Sequence, residues 1–318
     1  MNDVSVIIPT FQREKYIRRA ILSVINQHNV SCEIIVVDDN GLNSSCQIAL
    51  QKKIQDLIDT QKIRYIIHKK NAGGSVSRNS GINVASGEYL AFLDDDDWFE
   101  TNKLSLQIEY MKREKTDACL CGFCRIYSDR TVTVSDPGLL VNESKLKKSL
   151  LSQTIDTCAG SCLVIKKSLV ERVGLFDVSF IRHQDLEFLY RISKETRISV
   201  VPCKLVNIFM HADNLSVKSG ENIEKYRLHY VNKFLDDIMS LPDADRRSIL
   251  NRHYVEIAKA YIKNKNFSKA FHWVFQTTNP MASIRCVVRE GFHFLFRMGK
   301  SGNKKREGVE NEFIRQDN

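Results

Sequence analysis

Short apolar runs alternate with helix-like segments along the first third of the chain. Apolar runs predict strands at Val4 to Ile8, Glu33 to Val37, Ile63 to Ile67 and Tyr89 to Leu93, and the first three of these runs are rich in β-branched residues. Between them, apolar residues recur at helical spacing from Tyr16 to Ile25, from Ser44 to Thr60 and from Gly74 to Ala85. Strands that are apolar throughout and alternate with helices indicate an α/β fold, in which a mostly parallel central sheet carries helices on both faces.

The pattern becomes less regular after residue 101. It predicts a helix at Lys103 to Lys112, a strand at Ala118 to Tyr127, a polar loop or lid through Lys148, a strand at Thr157 to Ile165, helices at Ser168 to Arg172 and His183 to Ile192, and a strand at Ile198 to Val206. After Gly220 the apolar residues recur only at helical spacing, so we place a domain boundary near residue 222. The expected organisation is an α/β domain over 1–221, a helical extension over 222–300 and a disordered polar tail over 301–318.

Polar residues follow each of the four strands predicted in the first third. They are Pro9-Thr10-Phe11, Asp38-Asp39-Asn40, the segment from Asn71 to Arg78, and Asp94 to Asp97. In a parallel sheet covered by helices, ligands bind beyond the carboxyl ends of the strands. We therefore expect these four segments to converge on one crevice that binds a charged, polar ligand.

Four consecutive carboxylates, Asp94 to Asp97, end the last of these strands. Like charges side by side repel, so the run is either a solvated acidic turn or a seat for a cation. Carboxylates two residues apart, such as Asp94 and Asp96, suit Mg²⁺ or Mn²⁺, which prefer oxygen ligands and also bind substrate phosphates. The aromatic pair Trp98-Phe99 directly after the run disfavours a freely solvated tip.

Three further segments carry candidate chemistry, each with a plain structural alternative. Gly73-Gly74 precedes a helix whose N-terminus and Arg78 suit a phosphate, although a glycine turn with a surface arginine fits equally. Asp39 suits a ribose or base contact, or starts a turn. Asp185, beside apolar helical positions, suits a general base, or caps the first turn of its helix. His211 stands alone after a strand, where a structural role is usual.

Charge and cysteine content narrow the class of protein. The net charge is +9, and residues 285–306 contain seven basic residues against one acid. Mixed with phenylalanines, this segment suits an anionic membrane surface, or packs on the α/β domain. It contains no known nucleic-acid motif, which disfavours a nucleic-acid partner. Nine cysteines scattered behind an N-terminus without a signal-peptide pattern favour reduced thiols and a cytoplasmic protein.

The motifs taken in order resemble the inverting glycosyltransferases of family 2, which have the GT-A fold. They are VSVIIPTF, EIIVVDD, NAGGSVSRNSGINVASGEYLAFLDDDD, TCAGSCLVIKKSLVERVGLFD and HQDLEFLYRI. The resemblance covers about residues 3–216. It implies a nucleotide-sugar-binding half over 1–100 and an acceptor half over 101–221. It also implies transfer of a sugar from a UDP-sugar to a saccharide or lipid-linked saccharide acceptor, in assembly of a bacterial capsule, O-antigen or exopolysaccharide.

The resemblance further implies roles for individual residues. The base of the nucleotide would contact Pro9, Thr10, Phe11 and Asp39, and the ribose and diphosphate would lie near Asn71 and Arg78. Asp94 or Asp95 would contact the ribose. A divalent Mn²⁺ or Mg²⁺ would bridge Asp96 to the diphosphate, with His211 approaching it. Asp185 would be the general base that deprotonates the acceptor hydroxyl.

Two residues depart from the family pattern. Gln184 stands where the family usually has Glu, and Asp97 extends the acidic run by one position. The main alternative is a non-catalytic protein of the same pathway that binds a nucleotide sugar or acts as a scaffold. The acidic run together with Asp185 argues for the enzyme. Peripheral association with the inner face of the plasma membrane is the location that the basic segment suggests.

Overall fold

The computed structural model describes residues 2–127, 131–134, 142–155, 159–210 and 219–287, with the backbone alone for 131–134 and 159. The chain divides into two compact units, Met1–Leu215 and Ser216–Asn318. Each unit is described by itself below. His211 and most of the basic segment 285–306 lie outside the described residues.

The elements of the first third follow the sequence prediction closely. They are β1 (Val4–Thr10), α1 (Ile17–Ile25), β2 (Cys32–Asp38), α2 (Ser45–Asp59), β3 (Arg64–Ile67), α3 (Gly74–Val84) and β4 (Tyr89–Phe92). The apolar side chains of β1, β2 and β4 are almost wholly buried. Strong apolar periodicity and burial therefore agree, and these predictions are confirmed.

The rest of the first unit differs from the prediction in several places. Its elements are β5 (Trp98–Phe99), α4 (Lys103–Glu114), β6 (Ala118–Ile126), β7 (Thr131–Val134), α5 (Glu143–Leu151), α6 (Ala159–Cys162), β8 (Val164–Lys166), α7 (Lys167–Val173), α8 (Gln184–Glu195) and β9 (Ile198–Phe209). The polar stretch before Lys148 was predicted as a loop, but it contains α5, whose Leu146 and Leu150 are buried. The predicted strand Thr157 to Ile165 is wrong over α6, because short runs of small apolar residues do not distinguish helix from strand.

One sheet joins the nine strands of the described residues in the order β3-β2-β1-β4-β8-β6-β9-β5, with β7 paired to β6. Strands β3, β2, β1 and β4 are parallel to one another. β8 runs antiparallel to β4 and β6, while β6 and β9 are parallel. The α/β fold is confirmed, and its continuous parallel part is the portion built from the first third of the chain.

An aromatic cluster fixes α8 beside the end of β4. The Phe176 and Phe188 rings stack with centroids 4.2 Å apart, and both meet Phe92 edge-on. Phe92 ends β4 two residues before Asp94, and Phe188 lies one turn after Asp185 on α8. The cluster therefore brings the helix that carries the predicted base to the strand that delivers the acidic run.

Gly87 allows β4 to lie close to the start of β1. Its N–H donates to Ser5 Oγ at 2.8 Å. A Cβ at this position would lie 2.6 Å from Ser5 N and 2.8 Å from Val4 C, both backbone atoms that cannot rotate away. We expect Gly87→Ala to lower the free energy of unfolding by about 1–3 kcal/mol, as overpacking usually does. Thermal or urea unfolding measures this.

Gly160→Ala is the matched control for that substitution. A Cβ on Gly160 would meet its nearest neighbour, Arg78 Nη2, at 3.7 Å, which is ordinary contact. We expect its unfolding midpoint to stay close to that of the unsubstituted protein. Equal destabilisation by the two substitutions would contradict the close approach at Gly87.

The second unit is helical over its described residues. It contains α9 (Gly220–Lys233), α10 (Leu235–Met239), α11 (Asp243–Lys263) and α12 (Phe267–Phe275). Ile257 and Tyr261 of α11 pack against Ala270 of α12. The opposite face of α12 exposes Phe267, Phe271 and Phe275, spaced one turn apart. Among the helices of the described ranges, none has the length and apolar character needed to cross a membrane.

Candidate active site

A cavity of about 320 Å³ lies where β1, β2 and β4 end and α3 begins. Most of its lining was predicted from the sequence, and the rest comes from neighbouring positions in the same segments. The lining residues are Pro9, Thr10, Phe11, Arg13, Asp39, Gly74, Ser77, Arg78, Asp94, Asp95 and Gln184. The structure thus brings together residues of all four polar segments that follow the parallel strands, as expected for ligand sites in such sheets.

Asp39 holds the loop that leads into α3. Its Oδ1 accepts hydrogen bonds from the Ala72 N–H at 2.8 Å, and its Oδ2 accepts from the Gly73 N–H at 2.8 Å. His68 Nδ1 lies 2.8 Å from Asp39 Oδ1, while His68 Nε2 lies 2.9 Å from Ser80 Oγ. Asn71 is exposed in the same loop and does not line the cavity. Asp39 therefore shapes the loop as well as facing the cavity.

Arg78 links the first turns of α3 to the acidic run. Its Nη2 donates to Asp94 Oδ1 at 2.6 Å, and its guanidinium lies 5.7 Å from the centre of the Phe176 ring. The side chain is buried, and its Nε has no hydrogen-bond partner in the described part of the chain. A buried cation with an unused donor beside a cavity suits an anionic ligand.

Arg13 pairs with the two central carboxylates of the acidic run. Its Nη1 lies 2.6 Å from Asp96 Oδ2 and 3.3 Å from Asp95 Oδ1. The side chains of Asp95 and Asp96 are only 4% and 8% exposed, whereas that of Arg13 is 41% exposed. One cationic group thus bridges two buried carboxylates at the edge of the cavity. Arg13 was not predicted from the sequence, although it lies two residues after the Pro9-Thr10-Phe11 segment.

The fourth carboxylate of the run points into the protein. Asp97 accepts hydrogen bonds from Ser161 Oγ at 2.7 Å and from the Phe209 N–H at 3.2 Å. Burial and the charges of Asp94 and Asp96 raise its pKa well above the usual range. Ser161 Oγ also accepts from the Asp94 N–H at 3.2 Å, so it ties both ends of the run together. Asp97 therefore anchors the turn rather than facing the cavity.

Asp95 carries a free-energy cost when it is ionised. Burial raises its pKa to about 7, against the opposing charge of Arg13. Its unfolded pKa is about 3.9, so its contribution to stability falls as the pH rises from about 4 to about 7 and is constant above that. We expect Asp95→Asn, without ligands and with EDTA, to be about 3 kcal/mol more stable than the unsubstituted protein at pH 8.

That advantage should shrink toward pH 5, because Asp95 is then protonated in the folded protein. Urea unfolding at both pH values measures the difference. Asp97, whose pKa is also raised, is present in both proteins, so its titration cancels in the stability difference. A stability difference that does not change between pH 5 and pH 8 would contradict the raised pKa of Asp95.

Asp185 and Gln184 begin α8 at the side of the cavity. Gln184 lines it, and a Cβ on Gly74 would lie 3.5 Å from Gln184 Nε2. Asp185 is partly buried in the first turn of α8. Burial raises the pKa of Asp185, the charge of Arg78 lowers it and that of Asp94 raises it further. The residue predicted as a base therefore lies within electrostatic reach of the acidic run.

The donor atoms of the acidic run suit a hard divalent cation. Asp95 Oδ2 is buried without a hydrogen-bond partner in the described residues. Arg13 shows that a positive charge is favourable between Asp95 and Asp96. No group of three or more His, Cys, Asp or Glu side chains with metal-binding geometry occurs among the described residues. His211, which the resemblance implies near the metal, is outside them.

Comparison with known proteins agrees with this geometry. The model of glycosyl transferase family 2 matches residues 5–174, which include β1 through α7 and the whole acidic run. The chain belongs to glycosyl transferase family 2. The family match identifies the protein as a glycosyltransferase and confirms the family suggested by the motifs.

Two relatives whose names state a donor or an acceptor match most of the chain. One is the UDP-Glc:alpha-D-GlcNAc-diphosphoundecaprenol beta-1,3-glucosyltransferase WfgD of Escherichia coli, 26% identical, covering 84% of this chain and 98% of that protein. Another is the GalNAc(5)-diNAcBac-PP-undecaprenol beta-1,3-glucosyltransferase of Campylobacter jejuni, 27% identical, covering 91% of this chain and 92% of that protein.

The fold of the family 2 chain is shared with a solved structure. The S. aureus TarS fragment 1-349 in complex with UDP-GlcNAc matches with a TM-score of 0.62 at 18% identity, covering 94% of this chain and 92% of that one. At this identity the likeness shows the fold.

Several cavity residues of the family 2 site were missed as site residues in the sequence. Arg13, Ser77 and Gln184 line the cavity without having been assigned a role, whereas Gly74 belongs to the segment predicted to bind a phosphate. Ser77 and Gly74 fall on the same α3 turns as Arg78, so helical spacing alone contains that signal. Gln184 directly precedes Asp185. Arg13 could not be recognised as a site residue from the sequence, because its partners Asp95 and Asp96 lie 82 and 83 residues away along the chain.

Proposed function

We propose that the protein is an inverting glycosyltransferase that moves a sugar from a UDP-sugar to a saccharide or lipid-linked saccharide acceptor in bacterial capsule, O-antigen or exopolysaccharide assembly. The observation that carries the proposal is the cavity that Asp39, Arg78, Asp94, Asp95 and Gln184 line together, with Asp185 next to Gln184 in the chain. The acceptors named for the Escherichia coli and Campylobacter jejuni relatives, and UDP-GlcNAc in the TarS complex, support the proposed substrate classes.

The donor would bind across the ends of the parallel strands. Pro9, Thr10, Phe11 and Asp39 would contact the base, since they line the end of the cavity formed by β1 and β2. Arg78, with Asn71 nearby in the preceding loop, would pair with the diphosphate near the ribose. Asp94 or Asp95 would accept hydrogen bonds from the ribose hydroxyls. The unused Nε of Arg78 supports this arrangement, because a bound phosphate would accept from it.

The same site would take a divalent metal, Mn²⁺ or Mg²⁺. Asp96 would hold it together with Asp95, and the family resemblance adds His211. The cation would neutralise negative charge on the departing diphosphate when it is bound. Within the protein, Arg13 already balances these two carboxylates, and Ser161 and Asp97 hold the backbone turn that presents them.

Asp185 would act as the general base of a single displacement. Its carboxylate takes the proton of the acceptor hydroxyl while the hydroxyl oxygen bonds to the anomeric carbon of the sugar. The bond from that carbon to the diphosphate oxygen breaks, and the electron pair leaves with UDP. Attack on the face opposite the leaving group inverts the configuration. The raised pKa of Asp185 suits a base that must accept a proton.

Binding and transfer assays test the proposal in sequence. Ligands that bind only the folded state raise the melting temperature, so a panel of nucleotide sugars with Mn²⁺ identifies the donor. The chosen donor is then incubated with prenyl-diphosphate saccharides, and the anomeric configuration of the product is determined by NMR. Transfer with inversion is the expected result. Binding without hydrolysis or transfer would favour the non-catalytic alternative, and retention of configuration would exclude single displacement.

We also propose that the enzyme works in the cytoplasm and associates peripherally with the inner face of the plasma membrane through residues 285–306. The exposed phenylalanines of α12 and the basic residues of that segment support an anionic surface as partner. Ending the chain after Val287 removes most of this segment and leaves the described residues intact. We expect this variant to lose most sedimentation with phosphatidylglycerol vesicles.

Phosphatidylcholine vesicles are the control for that measurement, because they lack net charge. Binding of the full chain should fall at high salt, since the Debye length drops from about 10 Å at 0.1 M to about 3 Å at 1 M. Unchanged sedimentation of the shortened chain would exclude residues 288–318 as the attachment.

A further inference from the structure

The loop between α7 and α8 displays exposed apolar side chains and leads directly into the helix that carries the proposed base. Val178 is 62% exposed, Ile181 is 71% exposed and Leu175 is 39% exposed, all within seven consecutive residues. Ile181 precedes Asp185 by four residues, and Gln184 lines the cavity. Exposed apolar groups so close together near a binding site mark a surface that another molecule covers.

The loop is held in place, so its exposure is a property of the fold. Phe176 and Phe180 alternate with the exposed residues and are buried. Asn79 of α3 exchanges two hydrogen bonds of 2.9 Å with the backbone of Phe176, and Ser75 Oγ donates to Phe180 O at 3.3 Å. These hydrogen bonds therefore hold the loop backbone so that Leu175, Val178 and Ile181 stay exposed.

Further hydrogen bonds fix the start of the loop and its one carboxylate. Arg191 of α8 donates to the carbonyl oxygens of Val173, Gly174 and Leu175. Asp177 accepts from the N–H and Oγ of Ser179 at 2.9 and 2.7 Å. The acid is thus engaged within its own turn together with the exposed Ser179. The other exposed residues of 175–181 are apolar, and the partly buried cation Arg182 follows them.

We infer that Leu175, Val178 and Ile181 contact the isoprenoid chain of a lipid-linked acceptor. This inference rests on the proposed function, which it refines by assigning the acceptor's lipid to a side of the site. Along the chain, the apolar residues Leu175, Val178 and Ile181 are followed by Arg182 and then by Asp185. A lipid-linked acceptor has a matching order of groups, which is an apolar prenyl chain, an anionic diphosphate and the reacting sugar. The four residues from Ile181 to Asp185 span at most about 14 Å, which is comparable to the length of a diphosphate joined to a sugar ring.

Photocrosslinking tests the contact without requiring turnover. The probe is farnesyl diphosphate with a diazirine at the far end of its chain, added to the full-length protein with UDP and Mn²⁺. We expect mass spectrometry to locate the label in the segment 174–182. The combined substitution Val178→Ser and Ile181→Ser should reduce this labelling about tenfold, because two apolar contacts are lost. Both positions are exposed, so the melting temperature should stay unchanged.

Ile48→Ser is the matched control, since Ile48 of α2 is 58% exposed in the same unit. Its labelling should equal that of the unsubstituted protein. Label found mainly outside 174–182, or labelling there that the double substitution does not reduce, would overturn the inference. Weaker binding of the double variant to phosphatidylglycerol vesicles without prenyl lipid would also overturn it, because the loop would then contact the bilayer.

Donor binding, measured on the same preparations, separates this inference from the proposed function. Absence of any melting shift with nucleotide sugars would count against the glycosyltransferase site itself. A normal donor shift without labelling of segment 174–182 would count against the apolar contact alone.

Discussion

Asp185→Asn is expected to lower kcat for sugar transfer by about 10³-fold, while the Kd for the UDP-sugar stays within about twofold. The amide has nearly the same shape as the carboxylate but cannot take the proton of the acceptor hydroxyl, and general-base catalysis typically contributes about 10²–10⁴-fold. Asp185 is not among the residues that line the donor cavity, which is why donor binding should survive. Stopped-time transfer assays and calorimetric titration with the donor measure the two quantities.

The pH dependence gives an independent check on the same residue. Burial raises the pKa of Asp185, so the acid limb of kcat/KM for the acceptor should lie above the ordinary aspartate value of about 3.9. Asp185→Asn should abolish that limb, and Asp185→Glu should restore part of the rate. Asp59→Asn, which removes an exposed carboxylate of α2, is the control and should transfer normally. A kcat within a few-fold of normal for Asp185→Asn would remove Asp185 as the base.

Asp96→Ala is expected to abolish the metal dependence of donor binding and to weaken UDP-sugar binding by about 100-fold in Mn²⁺. The reason is that Asp95 and Asp96 meet at one cationic group, the guanidinium of Arg13, and removing Asp96 leaves a single buried carboxylate there. A lone carboxylate is a poor site for a hard divalent ion, which needs several oxygen ligands. Melting temperatures with UDP-sugar, with and without Mn²⁺, measure the effect.

Asp97→Asn is the control for that substitution, because Asp97 binds Ser161 and the Phe209 N–H instead of facing the cavity. We expect it to keep its Mn²⁺-dependent donor shift, because the carboxylates at the cavity are unchanged. If Asp96→Ala responds to Mn²⁺ as the unsubstituted protein does, the metal binds elsewhere, and Asp94 and Asp95 become the positions to substitute next.

The parallel half of the fold was predictable because its signal is local. In β1, β2 and β4 the apolar runs are short and bounded by polar segments, and the rule for sheets of this kind then places those segments at one edge. The sequence pattern is harder to recognise in elements that bury only a few side chains. α5 contains only Leu146, Leu150 and Leu151 as buried positions among lysines and serines, a spacing that suits a helix but is easily obscured by its charges.

The pairings within the site were not predictable in the same way. Ser161 ties Asp94 to Asp97 from α6, a segment that the sequence suggested to be a strand. Arg13 meets Asp95 and Asp96 across more than 80 residues of chain. Such contacts depend on how elements pack, and no periodicity in one segment encodes a partner in another. The sequence therefore predicts which segments meet, while the structure identifies the atoms that do.

Arg78 couples the two halves of the site electrostatically. Its guanidinium bonds Asp94 and also lowers the pKa of Asp185, whereas the charge of Asp94 raises that pKa. A diphosphate that pairs with Arg78, as proposed, brings negative charge beside the base and offsets part of the positive charge that lowers its pKa. Donor binding should therefore make Asp185 a stronger base, so that the acceptor's proton is taken most readily once the donor is in place.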